Sequence, residues 1–270
     1  MFFICPSLFG QQASPSPGTL PHKTCAHESM TDQYPELAEE AAEYINNSIS
    51  KLEEEGRLKQ LAAAPVLTIP VVVHVIHDGE NIGSGANLST AQIEAQLEIL
   101  NQDFLASNPN YGESPSQWTS ALGNPEVQFC LASVDENGFA TTGITRHNIE
   151  VTGTTINNSN IDSSIKPATF WDPTKYYNIW TLSIPGTDQF GGIVGYAYLP
   201  TTGIINDNRD GTVVDHHWFG GPGFGQSGYK TLTHETGHYL GLPHTFNGDS
   251  CNDDDVISDC LLYTSPSPRD

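Results

Sequence analysis

Between residues 234 and 244 the chain reads HETGHYLGLPH, three histidines and a glutamate set at spacings of four and six. On an α-helix, residues four apart share a face, so His234 and His238 aim two imidazoles at one point. Glu235 sits one position round, within reach of a water held at that point. Gly241 can take the left-handed conformation that ends a helix, and Pro243 prevents the helix from resuming. The reversal swings His244 back towards the first two histidines. Three neutral imidazoles and one open position suit a catalytic zinc ion rather than a closed structural one. Such an ion lowers the pKa of its bound water from about 15.7 towards about 7 and polarises a carbonyl. Glu235 is then the general base that takes the water's proton and passes it to the leaving amine. The chemistry implied is peptide-bond hydrolysis without a covalent intermediate. At average residue usage, five fixed residues in this pattern arise by chance in a chain of this length less than about once in ten thousand.

These side chains need elements to position them. GYKTLTHETGHYL reads as a helix that stops at Gly241. Ahead of it, VLTIPVVVHVIHDG is a β-branched run closed by a turn signal, and so a buried strand. In LSTAQIEAQLEILNQDFLAS, Ser89 and Gln92 form a capping box, and Ile93, Leu97, Leu100 and Phe104 recur at helical spacing. PEVQFCLASVD, YYNIWTLSI, GIVGYAYLP and GTVVDHHWFG read as further strands, and Pro200 suits an edge. Residues 32–62 are helix-forming, with an apolar stripe of Leu37, Ala41, Tyr44, Ile45, Ile49 and Leu52 and a very acidic opposite face. The fold class predicted is mixed α/β around one sheet.

With 32 acidic against 10 basic residues, the net charge of −22 disfavours nucleic acid and anionic membranes as partners. No apolar run approaches the roughly 20 residues of a membrane span. Sequons at Asn46, Asn87 and Asn157, with few lysines and many Asn, Ser, Thr and Gly, lean towards export. His74 and His77, three apart on a strand, point to opposite faces. His216 and His217 are adjacent and make a poor chelating pair. Cys130 reads as strand packing.

The extended motif His-Glu-x-x-His-x-x-Gly-x-x-His resembles that of the metzincin zinc endopeptidases. The stretches TIPVVVHVIHDG, AQIEAQLEILNQDF, TGITR, YYNIWTLSI, GIVGYAYLP, VVDHHWFG and TLTHETGHYLGLPHTFNG are similar to the pappalysin family within that clan. The resemblance implies a twisted, mostly parallel sheet, a backing helix, a zinc-site helix and a cleft across the sheet edge. It implies that Gly195, Tyr196, Ala197 and Tyr198 form the rim strand that pairs with an extended protein or peptide substrate, an ordinary edge strand being the alternative. It also makes Cys25 a candidate cysteine switch that silences a proenzyme, against a plain cysteine, with activation by cleavage between Arg57 and Pro65.

Calcium is implied near Asp253, Asp254, Asp255 and Asp259, a solvated acidic loop being the alternative. Cys251 is expected to pair with a cysteine beyond the segment given. The family's methionine turn has no counterpart, since the methionines are Met1 and Met30. The similarity stops at Asp259, where CLLYTSPSPRD begins. The expected organisation is therefore a signal or disordered segment at 1–20, a helical pro-segment at 21–65, a catalytic domain at 66–259 lacking most of its C-terminal subdomain, and a non-native tail at 260–270. The function predicted is a secreted zinc endopeptidase made as a zymogen. The alternative is an inactive zinc-holding fragment or protein-binding module.

Overall fold

In the computed structural model, residues 35–57, 66–113, 122–149, 160–184, 193–224 and 230–244 are described. Strand β1 (Leu67–His77) is the spine of the sheet. Val71 to Ile76 are all fully buried, which is why this stretch reads as a continuous apolar run: a parallel strand is covered on both faces. At eleven residues, β1 is long enough for two partners end to end along one edge. β2 (Val127–Leu131) pairs with its first half and β3 (Ile144–Asn148) with its second. On the other edge lie β4 (Tyr177–Leu182), then β6 (Thr212–Asp215), both parallel, and last β5 (Gly195–Ala197), antiparallel to β6. Among the described residues six strands form this one sheet, in the order β2-β1-β4-β6-β5 with β3 also on β1.

Each face of the sheet has its own core. One carries Val71, Val73, Val75, Tyr177 and Val214 against Ile93, Leu97, Leu100 and Phe104 of helix α2 (Thr90–Phe104) and Leu232 of helix α4 (Thr231–Tyr239). The other gathers Ile76, Trp180, Leu182, Val213 and Tyr196 around Ile161 and Ile165. These last two belong to a π-helical turn, Ile161–Ile165, which runs on into the short helix α3 (Lys166–Thr169).

α2 starts as Ser89 predicts, its hydroxyl accepting from the Gln92 amide at 3.2 Å. The other half of the capping box does not form. The Gln92 side chain donates instead to the Phe219 carbonyl at 2.8 Å, tying α2 to the segment that leads into α4. Strand β3 is absent from the sequence reading, and the helix expected over 32–62 is observed as α1 (Pro35–Glu54). The sequon at Asn87 is structural: Asn87 is 4% exposed, donates to the Glu80 carbonyl at 2.7 Å and accepts from Arg146 at 2.6 Å. Asn46, on α1, is exposed. Cys130 is buried on β2, as expected. Among the described residues no helix is long and apolar enough to cross a membrane.

Candidate active site

Helix α4 is held at several points along its length. At its start, Thr233 donates to Asp103 of α2 at 2.6 Å, and Lys230 forms an ion pair with the same carboxylate. At its middle, the buried Tyr177 hydroxyl bonds both Thr236, at 2.9 Å, and Thr212, at 2.6 Å. At its end, Tyr239 stacks on Tyr177 with ring centroids 4.1 Å apart. Leu232, Glu235, Thr236 and His238 are thereby buried while His234 reaches solvent. Burial pushes the Tyr177 phenol upward, so it stays protonated and able to donate.

The helix ends in a Schellman motif. Gly241, at φ +98°, donates to the His238 carbonyl, and Leu242 donates to the Gly237 carbonyl, each at 2.9 Å. This reversal brings His244 back. The Nε2 atoms of His234, His238 and His244 lie 3.1 Å from one another in all three pairs. His238 Nδ1 is 2.7 Å from the Leu242 carbonyl oxygen, which can only accept, so Nδ1 carries the proton and Nε2 presents its lone pair inward. A carbonyl or carboxylate on the outer nitrogen is the usual support of a metal-bound imidazole. Partial burial and the neighbouring His244 hold His234 below its ordinary pKa, which favours the neutral, ligating form.

The residues present fit a zinc ion. Imidazole nitrogens around one tetrahedral zinc at about 2.0–2.1 Å stand about 3.3 Å apart, close to the spacing here. A hydrogen-bonded triangle fits poorly, because each pair needs its own proton and His238 Nε2 has none to give.

Glu235 is 1% exposed and packs against Gly195 of β5. Gly195 makes that approach feasible. A Cβ there would stand 3.1 Å from both Glu235 Cγ and Thr231 Cγ2 and 2.9 Å from the Val213 carbonyl oxygen. Among the described residues β5 has one strand neighbour, β6, and its three residues are buried. Tyr196 and Tyr198 extend to the opposite face of the sheet from Gly195, where they pack in the second core.

His74 and His77 are not brought to this site. His74 is fully buried between Thr145, at 2.8 Å, and Asn178, at 2.9 Å, and burial pushes it down to about 3, so it is a neutral structural bridge. His216 and His217 come closer together than adjacency suggested, with ring centroids 3.8 Å apart, because they sit in one 3-10 turn, His216–Trp218. With Asp215 they form a second His/Asp cluster. The Asp215 carboxylate there already accepts from the Ile184 amide, the His217 amide and His217 Nδ1. Cys25 and Asp253, Asp254, Asp255 and Asp259 lie outside the described residues. Asp103, Tyr177, Thr212 and Thr236, which hold the histidine helix, were missed in the sequence. Their partners are 35 to 130 positions away, and no local pattern marks them.

Residues 159–267 match the profile of peptidase family M43, described as pregnancy-associated plasma protein-A. An extracellular metalloprotease of Verticillium alfalfae is 28% identical over 237 residues, spanning 84% of this chain and 70% of that protein. Among solved structures, mature mirolysin of Tannerella forsythia in complex with a cleaved peptide superposes with a TM-score of 0.61 at 33% identity, covering 73% of this chain and 72% of the other. A point mutant of Tannerella forsythia promirolysin gives a TM-score of 0.66 at 30% identity, covering 87% of this chain and 74% of the other. With its histidine-bearing helix, its mixed sheet and these relatives, the chain belongs to the pappalysin family of metzincin metalloendopeptidases, peptidase family M43.

Proposed function

We propose that the protein is a secreted zinc endopeptidase made as a proenzyme, with His234, His238 and His244 holding the metal and Glu235 acting as base. The observation that carries this reading is the triangle of Nε2 atoms, with His238 locked by Leu242 in the ligating tautomer. Zinc supplies Lewis acidity, acidifying water and polarising a carbonyl. The remaining work falls to the chain's own groups. In this reading the edge of β5 away from β6 offers backbone donors and acceptors to an extended peptide. Glu235, under Gly195, accepts the proton of the attacking water and returns it to the departing amine. Its burial keeps bulk water from competing for that proton.

Export is supported by relatives named extracellular metalloproteases. The proenzyme reading is supported by α1. Its buried Ala41 and half-buried Tyr44, Ile45, Ser48 and Leu52 form one face. Ile45 packs at the Gly241 reversal beside Pro200, where a Cβ on Gly241 would meet Ile45 Cδ1 at 2.7 Å and Pro200 Cγ at 3.3 Å. The pro-form of mirolysin also covers more of this chain than the mature form, 87% against 73%. In this reading cleavage between Arg57 and Pro65 releases α1, and Cys25 supplies the thiolate that silences the precursor.

Casein hydrolysis, measured with and without a chelator and alongside Glu235→Ala, is the test. The expected result is activity abolished by the chelator, restored by zinc, and reduced by about 10²–10⁴-fold in Glu235→Ala, the range for losing a general base. Zinc binding without Glu235-dependent hydrolysis would leave the chain a zinc-holding binding module.

A further inference from the structure

We propose that Asp162 and Lys166 are positioning residues for the peptide, an ion pair of a half-buried carboxylate and a buried ammonium that moors rim strand β5 through Tyr196 and Tyr198. The inference rests on the reading of β5 as the peptide-binding rim. Both tyrosines donate to one carboxylate: Tyr196 to Asp162 Oδ1 at 3.0 Å and Tyr198 to Asp162 Oδ2 at 2.8 Å. Lys166, fully buried, neutralises that carboxylate at 2.7 Å. Its ammonium also lies over three rings, 4.7 Å from the Tyr196 centroid, 5.1 Å from Trp180 and 5.2 Å from Tyr198. Its remaining reach goes to the Arg209 carbonyl at 3.2 Å, in the connection from β5 to β6.

Packing alone does not call for this arrangement. Apolar side chains of similar volume fill such a space at least as favourably as a buried ion pair does. What charge adds is a fixed position: a carboxylate with two lone-pair directions taken by two hydroxyls leaves the strand one register and one height. β5 needs such a mooring, since it is three residues long and has one strand neighbour among the described residues. Its other face is held by Gly195 against Glu235. Tyr196 and Tyr198 are thus gripped on one face by Asp162, while Gly195 is set on the opposite face against Glu235. A shift of the strand along its axis would move the peptide's backbone relative to Glu235. Asp162 and Lys166 sit in the π-helical turn and the first residue of α3, one continuous helical segment that presents both charges together.

The test uses the full chain after tryptic cleavage of its pro-segment, in a Glu235→Ala background, with fluorescein-labelled β-casein as an unfolded, extended probe read by anisotropy. Tyr196→Phe/Tyr198→Phe keeps both rings, Lys166 and Asp162 and removes the mooring hydroxyls. The expected result is binding weaker by about tenfold, the scale of losing hydrogen bonds to a charged acceptor. Thr169→Val removes the partner of the Trp180 indole, 2.9 Å away in the same layer, without touching β5. It should lower thermal stability but leave casein affinity within about twofold, since a purely structural loss in this layer does not reach the rim. With Glu235 restored, the double variant should raise KM and also lower kcat, since a loosened strand both binds the peptide less well and misplaces it against Glu235. Where the double variant fails to fold, Tyr198→Phe at the more exposed ring gives the same comparison. Casein binding as tight as that of the Glu235→Ala parent, or no binding by the parent at all, overturns the inference. Loss of binding in a chain that never hydrolyses casein would sustain the mooring while defeating the peptidase reading.

Discussion

His238 illustrates what a single residue must satisfy before the site can work. Its Nδ1 proton is committed to the Leu242 carbonyl, so its Nε2 is available as a ligand whatever the other histidines do. The spacing of His234, Glu235, His238 and His244 was legible because helical periodicity and a glycine stop are local rules. The Leu242 partner was not, since it exists only once the Schellman turn has formed. The same holds for Tyr177, whose hydroxyl ties β4 to both β6 and α4. Tyr177→Phe leaves Thr236 and Thr212 without their shared partner in a dry core. The expected cost is about 1–3 kcal/mol of unfolding free energy, read by denaturant titration, together with a lower zinc affinity because the helix is less firmly held.

At the scale of elements, the reversal at Gly241 decides whether His244 joins the other two. Its φ of +98° is a conformation that L side chains rarely adopt. Gly241→Ala should destabilise the chain by about 1–2 kcal/mol. It should also weaken zinc binding more than an alanine at an exposed helix position does, a comparison made by competition with a fluorescent chelator. The strands that carry buried apolar runs, β1 and β4, were readable because both faces are covered. β3, ITRHN, was not: each of its residues is half-buried and polar residues outnumber apolar ones. It is a strand because β1 is long enough to offer it an edge. The π-helical turn at Ile161–Ile165 likewise has no periodicity of its own and takes its shape from the core of Trp180, Val213 and Tyr196.

Across the whole molecule, stability depends on pH through several shifted groups, of which Asp210 can be isolated by substitution. Burial pushes Asp210 up to about 6, against an ordinary 3.8, despite a hydrogen bond from the Asn206 amide and the nearby Lys166 charge. The folded state therefore binds its proton more tightly than the unfolded chain. That contribution to stability is full below about pH 4 and is lost as pH rises through about 6. Relative to Asp210→Asn, the wild-type chain should lose about 1–3 kcal/mol across this window, in denaturant titrations at several pH values. The central claim is that one fold converges three imidazoles on a single zinc ion. X-ray absorption at the zinc edge, on the chain cleaved of its pro-segment, tests it most directly. The account predicts one zinc per chain, bound by three imidazole nitrogens at about 2.0–2.1 Å and one oxygen donor, and no zinc in His238→Ala. A zinc shell containing sulfur, or stoichiometric zinc retained in His238→Ala, would contradict it.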